Sequence, residues 1–153
     1  MLKKVLAALW RRSPAGLRRL SVRLSQACFT VTAAAVIVDD DGRILLLKHV
    51  FRVGSGWGIP GGFMNKGEQP EAALRREVYE EIGLELDGVE LAFVRALKRS
   101  AQVEIYFRAS PRGGSEPRSV EIKSAEWFKL DELPEGLSRD QHEIIRSVLS
   151  ATA

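Results

Sequence analysis

Three glutamates on one predicted helix constrain this chain more than any other feature of its sequence. Pro70 suits the first position of that helix, and Gly83 supplies a stop signal at its end. Glu77, Glu80 and Glu81 stand at positions i, i+3 and i+4, so their side chains project from one face. Carboxylates this close repel one another unless a cation lies among them. Because Mg²⁺ binds a few carboxylate oxygens and completes its shell with water and phosphates, the spacing predicts a metal site.

The glutamates belong to a longer pattern with fixed gaps, Gly62-x5-Glu68-x7-Arg76-Glu77-Val78-x-Glu80-Glu81-x-Gly83-Leu84. The alternative interpretation is a solvated acidic helix face, on which Arg76 and Glu80 form a surface ion pair of little energetic value. The full pattern resembles the Nudix box, and Trp57-Gly58-Ile59-Pro60-Gly61-Gly62 resembles the segment that precedes the box in that family. The resemblance extends from about Thr30 to about Phe128.

The resemblance implies a fold, a domain division and a class of reaction. The fold belongs to the α/β class and is an α/β/α sandwich with a mixed sheet. The Nudix hydrolase domain is expected to cover residues 30–153, and a helical extension is expected over residues 1–29. The implied function is a metal-dependent pyrophosphohydrolase that cleaves a nucleoside diphosphate linked to another moiety, as in a nucleotide sugar or an ADP-ribose-like compound. A (d)NTP pyrophosphatase and a non-catalytic nucleotide-sensing module remain alternatives, although relatives without turnover commonly lose box carboxylates.

The resemblance also implies roles for residues of the box. Glu77, Glu80 and Glu81 are expected to hold Mg²⁺ or Mn²⁺. The carbonyl of Gly61 is expected to be a further ligand, because glycine lets the backbone approach closely. Arg76 is expected to orient the acidic cluster, together with Glu68.

A fourth acid, acting as metal ligand or general base, is expected from a loop nearer the C-terminus. Glu121 is the first choice because it precedes a predicted strand at a suitable distance. Glu116 on the same loop is the second choice, and Glu126, within the strand, is the third. The two histidines, His49 and His142, are expected to be structural or exposed.

Cationic and aromatic residues outside the box are candidates for substrate contacts. Arg52, Arg95 and Lys98 can donate hydrogen bonds to phosphate oxygens, although each also suits a solvated surface. Trp57 can stack on a base or pack within the protein.

Charge is distributed unevenly along the chain. Seven basic residues and no acidic residue fall in the first 30 positions. The whole chain has a net charge of +3, so the body of the protein, residues 31–153, has a net charge of −4. An acidic body is not expected to bind nucleic acid, which usually needs a basic surface.

The single cysteine, Cys28, is expected to be buried and fits a reducing compartment. Since no apolar run reaches the length of a membrane span, the expected location is the cytoplasm.

The basic extension has the spacing of two short helices, one over residues 2–10 and one that starts at Ser13-Pro14. Leu17, Leu20 and Leu24 form one stripe of the second helix. Three interpretations remain open. The pair packs on the core or across a homodimer interface, or it lies peripherally on an anionic membrane surface. A cleaved signal peptide is disfavoured, because the apolar run is short and two arginines follow it.

The remaining pattern predicts strands around the central helix. Thr30–Val38 reads as a buried strand, Asp39–Gly42 as a turn and Arg43–His49 as the hairpin partner of that strand. Further strands are expected at Val89–Leu97, Val103–Ala109 and Ala125–Leu130.

Two predictions concern the helix faces. In the central helix the glutamates are expected to face outward, while the core-facing residues are expected to be Ala72, Ala73, Val78 and Ile82. Ser138-x-x-Gln141 predicts a capping box that opens the final helix.

Overall fold

The computed structural model describes Lys3 and residues 10–151 of the chain. In that part the elements follow one another as α1 (Ala15–Ser25), β1 (Thr30–Ile37), β2 (Ile44–His49), β3 (Trp57–Gly58), β4 (Gly61–Phe63), α2 (Pro70–Ile82), β5 (Glu85–Leu97), β6 (Gln102–Arg112), β7 (Ile122–Phe128) and α3 (Arg139–Ala151). The predicted strands and helices that fall within the described residues are present, with ends that differ by a few residues.

The strands form two sheets, one of four strands in the order β4-β1-β6-β5 and one of three in the order β3-β2-β7. β1 and β6 run parallel from Thr30↔Gln102 to Ile37↔Ala109. The other neighbouring pairs are antiparallel. The first sheet is therefore mixed, as the resemblance implied.

Helices cover the strands from two sides. α2 buries Leu74, Val78 and Ile82 in one core cluster with alternate residues of β1 and β2, and α3 buries Ile144 and Val148 in a second cluster with the intervening residues. Successive strand side chains point to opposite faces, so the same two strands serve both clusters. Each fully buried aliphatic side chain contributes roughly 1.5–3 kcal/mol of transfer free energy. The predicted α/β/α layering is confirmed.

The predicted hairpin between the first two strands is wrong. A single bridge joins Val38 to Ile44, beyond which β1 and β2 enter different sheets. The turn itself forms as predicted, with Asp39 Oδ1 accepting hydrogen bonds from the N–H groups of Asp41 at 3.1 Å and Arg43 at 2.8 Å. Beyond that bridge, β1 pairs with β4 and β6, and β2 pairs with β3 and β7, so the two strands do not pair with each other.

α2 has the predicted bounds but a different buried face. It begins at Pro70, and Gly83 caps its end in the left-handed conformation (φ 68°) by donating to the carbonyl of Tyr79 at 2.9 Å. Ala72 is exposed, contrary to the prediction, and Leu74 is buried in its place. Leu74 lies on the same stripe as Val78 and Ile82, at i+4 and i+8, and this stripe faces the sheets.

α3 is tied to the segment before β4 through its cap. Ser138 Oγ accepts a hydrogen bond from the N–H of Gln141 at 3.2 Å, as predicted for the N-cap. The side chain of Gln141 does not return to Ser138, because its Oε1 accepts from the N–H of Ile59 at 2.9 Å. Only the Ser138 half of the predicted capping box forms. The side chain of Gln141 instead joins α3 to Ile59, which is distant in sequence.

α1 lies outside both core clusters. None of its residues is buried, and Leu17, Leu20 and Leu24 are 56%, 53% and 80% exposed. Packing of this helix on the core is therefore contradicted, while the helix predicted over residues 2–10 falls almost wholly outside the described residues. Cys28 is exposed and not buried as expected, because it follows this unpacked helix. Within the described residues, none of the helices is long and apolar enough to cross a membrane.

Candidate active site

Two glycines of β4 bring the backbone against the acidic helix. A Cβ at Gly62 would overlap the carboxylate of Glu77, and a Cβ at Gly61 (φ 141°) would overlap the backbone of Ala33 and Ala34. β4 pairs with β1 on one side and contacts α2 on the other. Glycine is therefore needed at both positions, and it brings a backbone segment next to the first of the three glutamates.

Glu81 has a mostly buried carboxylate. Burial raises the pKa of its carboxyl to about 7. The negative charges of Glu77 and Glu121 add to the rise, while a backbone hydrogen bond from Gly61 and the charge of Arg52 oppose it. Its Oε2 atom is buried and has no hydrogen-bond partner among the described residues. The expectation that all three glutamates face outward is wrong for Glu81. A buried carboxylate oxygen without a donor needs a proton or a cation.

Arg76 binds acidic residues from the helix and from the loop before it. Its Nε and Nη2 donate to the two oxygens of Glu68 at 2.9 and 3.0 Å. Its Nη1 donates to Glu77 at 2.8 Å and to Glu80 at 3.4 Å, and Nη2 also reaches the carbonyl of Phe63 at 3.1 Å. These hydrogen bonds lower the pKa of Glu68 to about 2 and raise the pKa of Arg76. The guanidinium thereby fixes the acidic helix face relative to β4.

The loop after β2 and the residue before β7 meet beside Glu81. The N–H of Val50 donates to the carbonyl of Glu121 at 2.8 Å, and Arg52 Nη1 donates to the carbonyl of Trp57 at 3.4 Å. Glu121 and Arg52 are close enough to Glu81 for their charges to shift its pKa. The structure thus places both predicted loop residues next to the glutamate cluster.

The alternative acids and the first histidine are placed differently. Glu116 lies where the loop contacts the end of α2, and Glu126 lies within β7. Neither charge is among those that shift the pKa of Glu81. Burial, with a smaller effect from Arg52, lowers the pKa of His49 to about 4, and its Nε2 is buried without a hydrogen-bond partner in the described part of the chain. His49 is therefore a neutral structural residue, as expected.

A cavity of about 210 Å³ opens beside the two glycines. Of the four predicted substrate residues, Arg52 lines it. Trp57 packs edge-on against Phe128, with ring centroids 5.2 Å apart, which matches the packing interpretation. Lys98 is exposed in the turn between β5 and β6.

Arg95 contacts acidic residues of two elements, and the structure gives it a different role from the predicted one at phosphates. Its Nη1 and Nη2 donate to Asp140 of α3 at 2.6 and 2.7 Å, and its Nε donates to Glu104 at 2.6 Å. Nη2 also donates to the hydroxyl of Tyr106 at 3.2 Å. These bonds raise the pKa of Arg95 and lower that of Asp140. With its charge compensated by two carboxylates, Arg95 joins α3 to the sheet.

Sequence reasoning missed the polar lining of the cavity, which consists of Thr32, Gln102, Glu104, Tyr106 and Gln141. A signal was present in β6, where polar residues occupy alternate positions between apolar ones. Period-two alternation places those residues on one face of a strand. An interior strand with such a face indicates a polar-lined cavity.

The acidic residues of α2 are spread around Arg76 and are not gathered at one point. Within the described residues, no three acidic, histidine or cysteine side chains converge on a common point. Glu77 and Glu80 instead contact Arg76. The donor set still fits a hard divalent cation, because it consists of carboxylate oxygens beside the Gly61 backbone. Oε2 of Glu81 is the buried oxygen of that set that accepts no hydrogen bond from the described residues.

Comparison with known proteins assigns the family. The profile of the NUDIX domain matches residues 29–148. The chain therefore belongs to the Nudix family and is a Nudix hydrolase.

Relatives and solved structures agree with this assignment. A MutT-like protein from Streptomyces ambofaciens is 36% identical over 110 residues, which cover 71% of this chain and 70% of the relative. An 8-oxo-dGDP phosphatase from Homo sapiens is 33% identical over 142 residues, but these cover 89% of this chain and 42% of that longer protein. A solved MutT NUDIX hydrolase from Burkholderia pseudomallei has a TM-score of 0.71 at 30% identity, covering 79% of this chain and 98% of the other. The predicted fold class is confirmed.

Proposed function

We propose that this chain is a Mg²⁺- or Mn²⁺-dependent pyrophosphohydrolase that cleaves a nucleoside diphosphate linked to another moiety. The observation that carries the proposal is the environment of Glu81. Its carboxylate is mostly buried, lies near the negative charges of Glu77 and Glu121, and has one oxygen without a partner among the described residues. Burying a carboxylate among like charges costs free energy, and a divalent cation offsets that cost.

The acidic residues have separate roles in this proposal. Glu77, Glu80 and Glu81 hold the cation, with the Gly61 carbonyl as a further ligand. When bound, the cation neutralises charge on the diphosphate and lowers the pKa of water. Glu121, on the exposed segment before β7, accepts the proton of the attacking water as general base or adds a ligand.

Two arginines support the reaction, one by positioning a metal ligand and one by binding the substrate. Arg76 positions Glu77 through its 2.8 Å hydrogen bond, while Glu68 holds the other edge of the guanidinium. Arg52 lines the cavity beside Gly61 and donates to a phosphate oxygen of the substrate. Both roles use the planar fork of arginine, which lysine lacks.

A second candidate is a pyrophosphatase that acts on free nucleoside di- or triphosphates. The human relative, by its name, is a phosphatase of a nucleoside diphosphate with no further group attached. The two candidates share the acidic cluster and differ in the group that the second phosphate carries.

A substrate panel with matched variants tests the proposal. Nucleotide sugars, dinucleotides and (d)NTPs are incubated with Mg²⁺ or Mn²⁺, and phosphate is measured after a coupled phosphatase. We expect Glu80→Gln and Glu81→Gln to lower kcat/KM about 100-fold or more. Glu71→Gln, which removes an exposed carboxylate paired with Arg75 on the same helix, is expected to stay within about twofold.

Unchanged phosphate release in both glutamine variants would contradict the proposal. Nucleotide binding without turnover across the whole panel would favour the sensing module instead.

We also propose that the extension over residues 1–29 binds an anionic membrane surface, which makes this cytoplasmic protein peripheral. α1 presents an exposed leucine stripe, while Arg18, Arg19 and Arg23 lie off that stripe. The segment contains no acid, so two such helices would bring like charges together. Charge complementarity therefore favours anionic lipid over a second copy of the helix.

A further inference from the structure

The last turn of α2 is covered by the loop between β6 and β7, residues 113–121. The N–H groups of Arg118 and Ser119 in this loop donate to the carbonyl of Glu81 at 2.9 and 3.3 Å. Because the last carbonyls of a helix have no partner within the helix, the loop acts as the cap of α2. The backbone of Glu81 is therefore bonded directly to the loop that carries Glu121.

The side chain of Arg118 also lies against the end of α2. Its guanidinium carbon is 4.8 Å from the centre of the Tyr79 ring. A Cβ at Gly83 would overlap the same guanidinium, so glycine leaves the room that the guanidinium occupies. The face of an aromatic ring attracts a cation, and so do the last carbonyls of a helix. Arg118 thus fastens the loop to α2 through its side chain as well as its backbone.

The chain between Arg118 and Glu121 forms a tight turn. Ser119 Oγ accepts a hydrogen bond from the N–H of Glu121 at 3.2 Å, and the Ser119 carbonyl accepts from the N–H of Ile122 at 3.1 Å. On the other side, the N–H of Val50 donates to the carbonyl of Glu121 at 2.8 Å. The backbone of Glu121 is therefore held between the end of α2 and the loop after β2.

We propose that Arg118 is a positioning residue: by holding residues 113–121 on the end of α2, it sets the place of Glu121 relative to Glu81. The inference rests on the proposed function, in which Glu121 acts as general base or adds a ligand beside Glu81. Arg118 does not line the cavity beside Gly61, so it acts through Glu121 and not on the substrate.

The loop needs such a contact because it begins with two glycines. Gly113 has a left-handed φ of 92°, and a Cβ at Gly113 or Gly114 would meet nothing within 4 Å. Glycine in open space leaves the backbone many conformations. A general base acts only within hydrogen-bond reach of its proton, and a misplacement of about 1 Å lowers a rate by about 100-fold. A contact at Arg118 restricts the loop after the glycines and before Glu121.

The first test measures the loop without turnover, by amide hydrogen exchange observed by NMR. The N–H groups of Ser119 and Val50 report on the two sides of the loop. We expect Arg118→Ala to raise their exchange rates at least about threefold, the factor expected when an exposed cation–π contact is lost. Arg112→Ala is the matched control, because Arg112 directly precedes the loop and pairs with Glu85, and we expect it to change these rates less than about twofold.

Two substitutions at Tyr79 test the stacking contact from its other side. Tyr79→Phe keeps the ring and is expected to leave the exchange rates of Ser119 and Val50 unchanged. Tyr79→Leu removes the ring and is expected to raise them as Arg118→Ala does. Both replace a partly exposed side chain of α2 by another apolar one, so they provide the test even if Arg118→Ala does not fold.

A double-mutant cycle links the loop to catalysis. We expect Arg118→Ala to lower kcat about tenfold and to leave KM within about twofold, because the base is displaced while the substrate contacts remain. In a Glu121→Gln background, the same substitution is expected to lower kcat less than about twofold, because the group that Arg118 positions is already absent. A residue that only stabilised the fold would lower kcat equally in both backgrounds.

Unchanged exchange at Val50 in folded Arg118→Ala and Tyr79→Leu would overturn the inference, as would equal losses of kcat in the two backgrounds. Full turnover in Glu121→Gln would also overturn it, while the cation site of the proposed function would stand if Glu81→Gln were inactive. If the wild-type protein cleaves no substrate of the panel, the proposed function fails, and the exchange rates alone decide whether Arg118 holds the loop.

Discussion

Arg76 and Glu68 form two parallel hydrogen bonds of 2.9 and 3.0 Å between the central helix and the loop that leads into it. Glu68 Oε2 also accepts from the N–H of Asn65 at 2.8 Å, which fixes the carboxylate from the loop side. The acidic helix face is therefore held at a set distance from β4 by one guanidinium. A planar fork is needed for this geometry, and the ammonium of lysine cannot supply it.

Replacing Arg76 with lysine is expected to lower kcat/KM about 10–100-fold, because the charge remains but the positioning of Glu77 is lost. Arg75→Lys is the matched control, since Arg75 is the preceding helical residue and its side-chain hydrogen bonds go to exposed Glu71 and to the carbonyl of Leu86, not to the three glutamates. Steady-state kinetics on the best substrate, with thermal unfolding of both variants, provides the measurement. Equal losses in the two variants would show that Arg76 has no special positioning role.

The raised pKa of Glu81 predicts a pH dependence of stability in the absence of metal. The folded value, about 7, exceeds the ordinary glutamate pKa of 4.5, so the folded state retains a proton over this range. The contribution of protonated Glu81 to the free energy of unfolding is fully present below about pH 4.5 and is lost as the pH rises through about 7. At about 1.36 kcal/mol per pKa unit, the change is on the order of 3 kcal/mol.

Urea unfolding of wild-type protein and Glu81→Gln measures this change at about pH 5 and about pH 8. The difference between the two proteins is the informative quantity, because the lowered pKa of His49 contributes equally to both. We expect wild type to lose stability relative to the variant as the pH rises. A difference that stays constant with pH would contradict the assigned environment of Glu81.

Gly62→Ala is expected to impair the site through its single added methyl group. The new Cβ would overlap the carboxylate of Glu77, so either the helix or β4 must shift. We expect a loss of about 1–3 kcal/mol of unfolding free energy and at least a roughly tenfold fall in kcat/KM. Gly114→Ala is the control, because a Cβ at that position meets nothing within 4 Å. Full activity in Gly62→Ala would show that the close approach is unnecessary.

Membrane binding by the extension is tested by flotation of the full chain with vesicles of phosphatidylserine and phosphatidylcholine. We expect flotation with anionic vesicles and little with neutral ones, since each basic residue near such a surface contributes about 1 kcal/mol. Replacing Leu17, Leu20 and Leu24 together with serine is expected to abolish it. Val22→Ser, on the other side of the helix, is the control. No flotation, combined with a dimer that the triple variant dissociates, would assign the stripe to a second copy.

The sequence was sufficient for the central helix and for the acidic cluster because both rest on local signals, while the layers followed from the family resemblance. Pro70 and Gly83 define α2, and residues at i, i+3 and i+4 share a face without reference to the rest of the fold. The family resemblance placed Gly61 and Arg76 beside the glutamates, where the structure also has them.

Features that depend on distant partners could not be read from the sequence. Nothing near Arg95 in sequence shows that Asp140, 45 residues away, would bind it. The hairpin failed for a similar reason, because β6 and β7, which are remote in sequence, pair with β1 and β2. Burial of Glu81 also arises from tertiary packing, since local spacing gives its helical face but not the segments that cover that face.

The most direct test of the central claim is titration of Mn²⁺ into the protein in the presence of a non-hydrolysable nucleoside diphosphate analogue, monitored by electron paramagnetic resonance. We predict saturable binding to wild-type protein, affinity at least about tenfold weaker in Glu81→Gln, and no change in Glu71→Gln. Equal Mn²⁺ affinity in all three proteins would contradict a cation site at the buried glutamate.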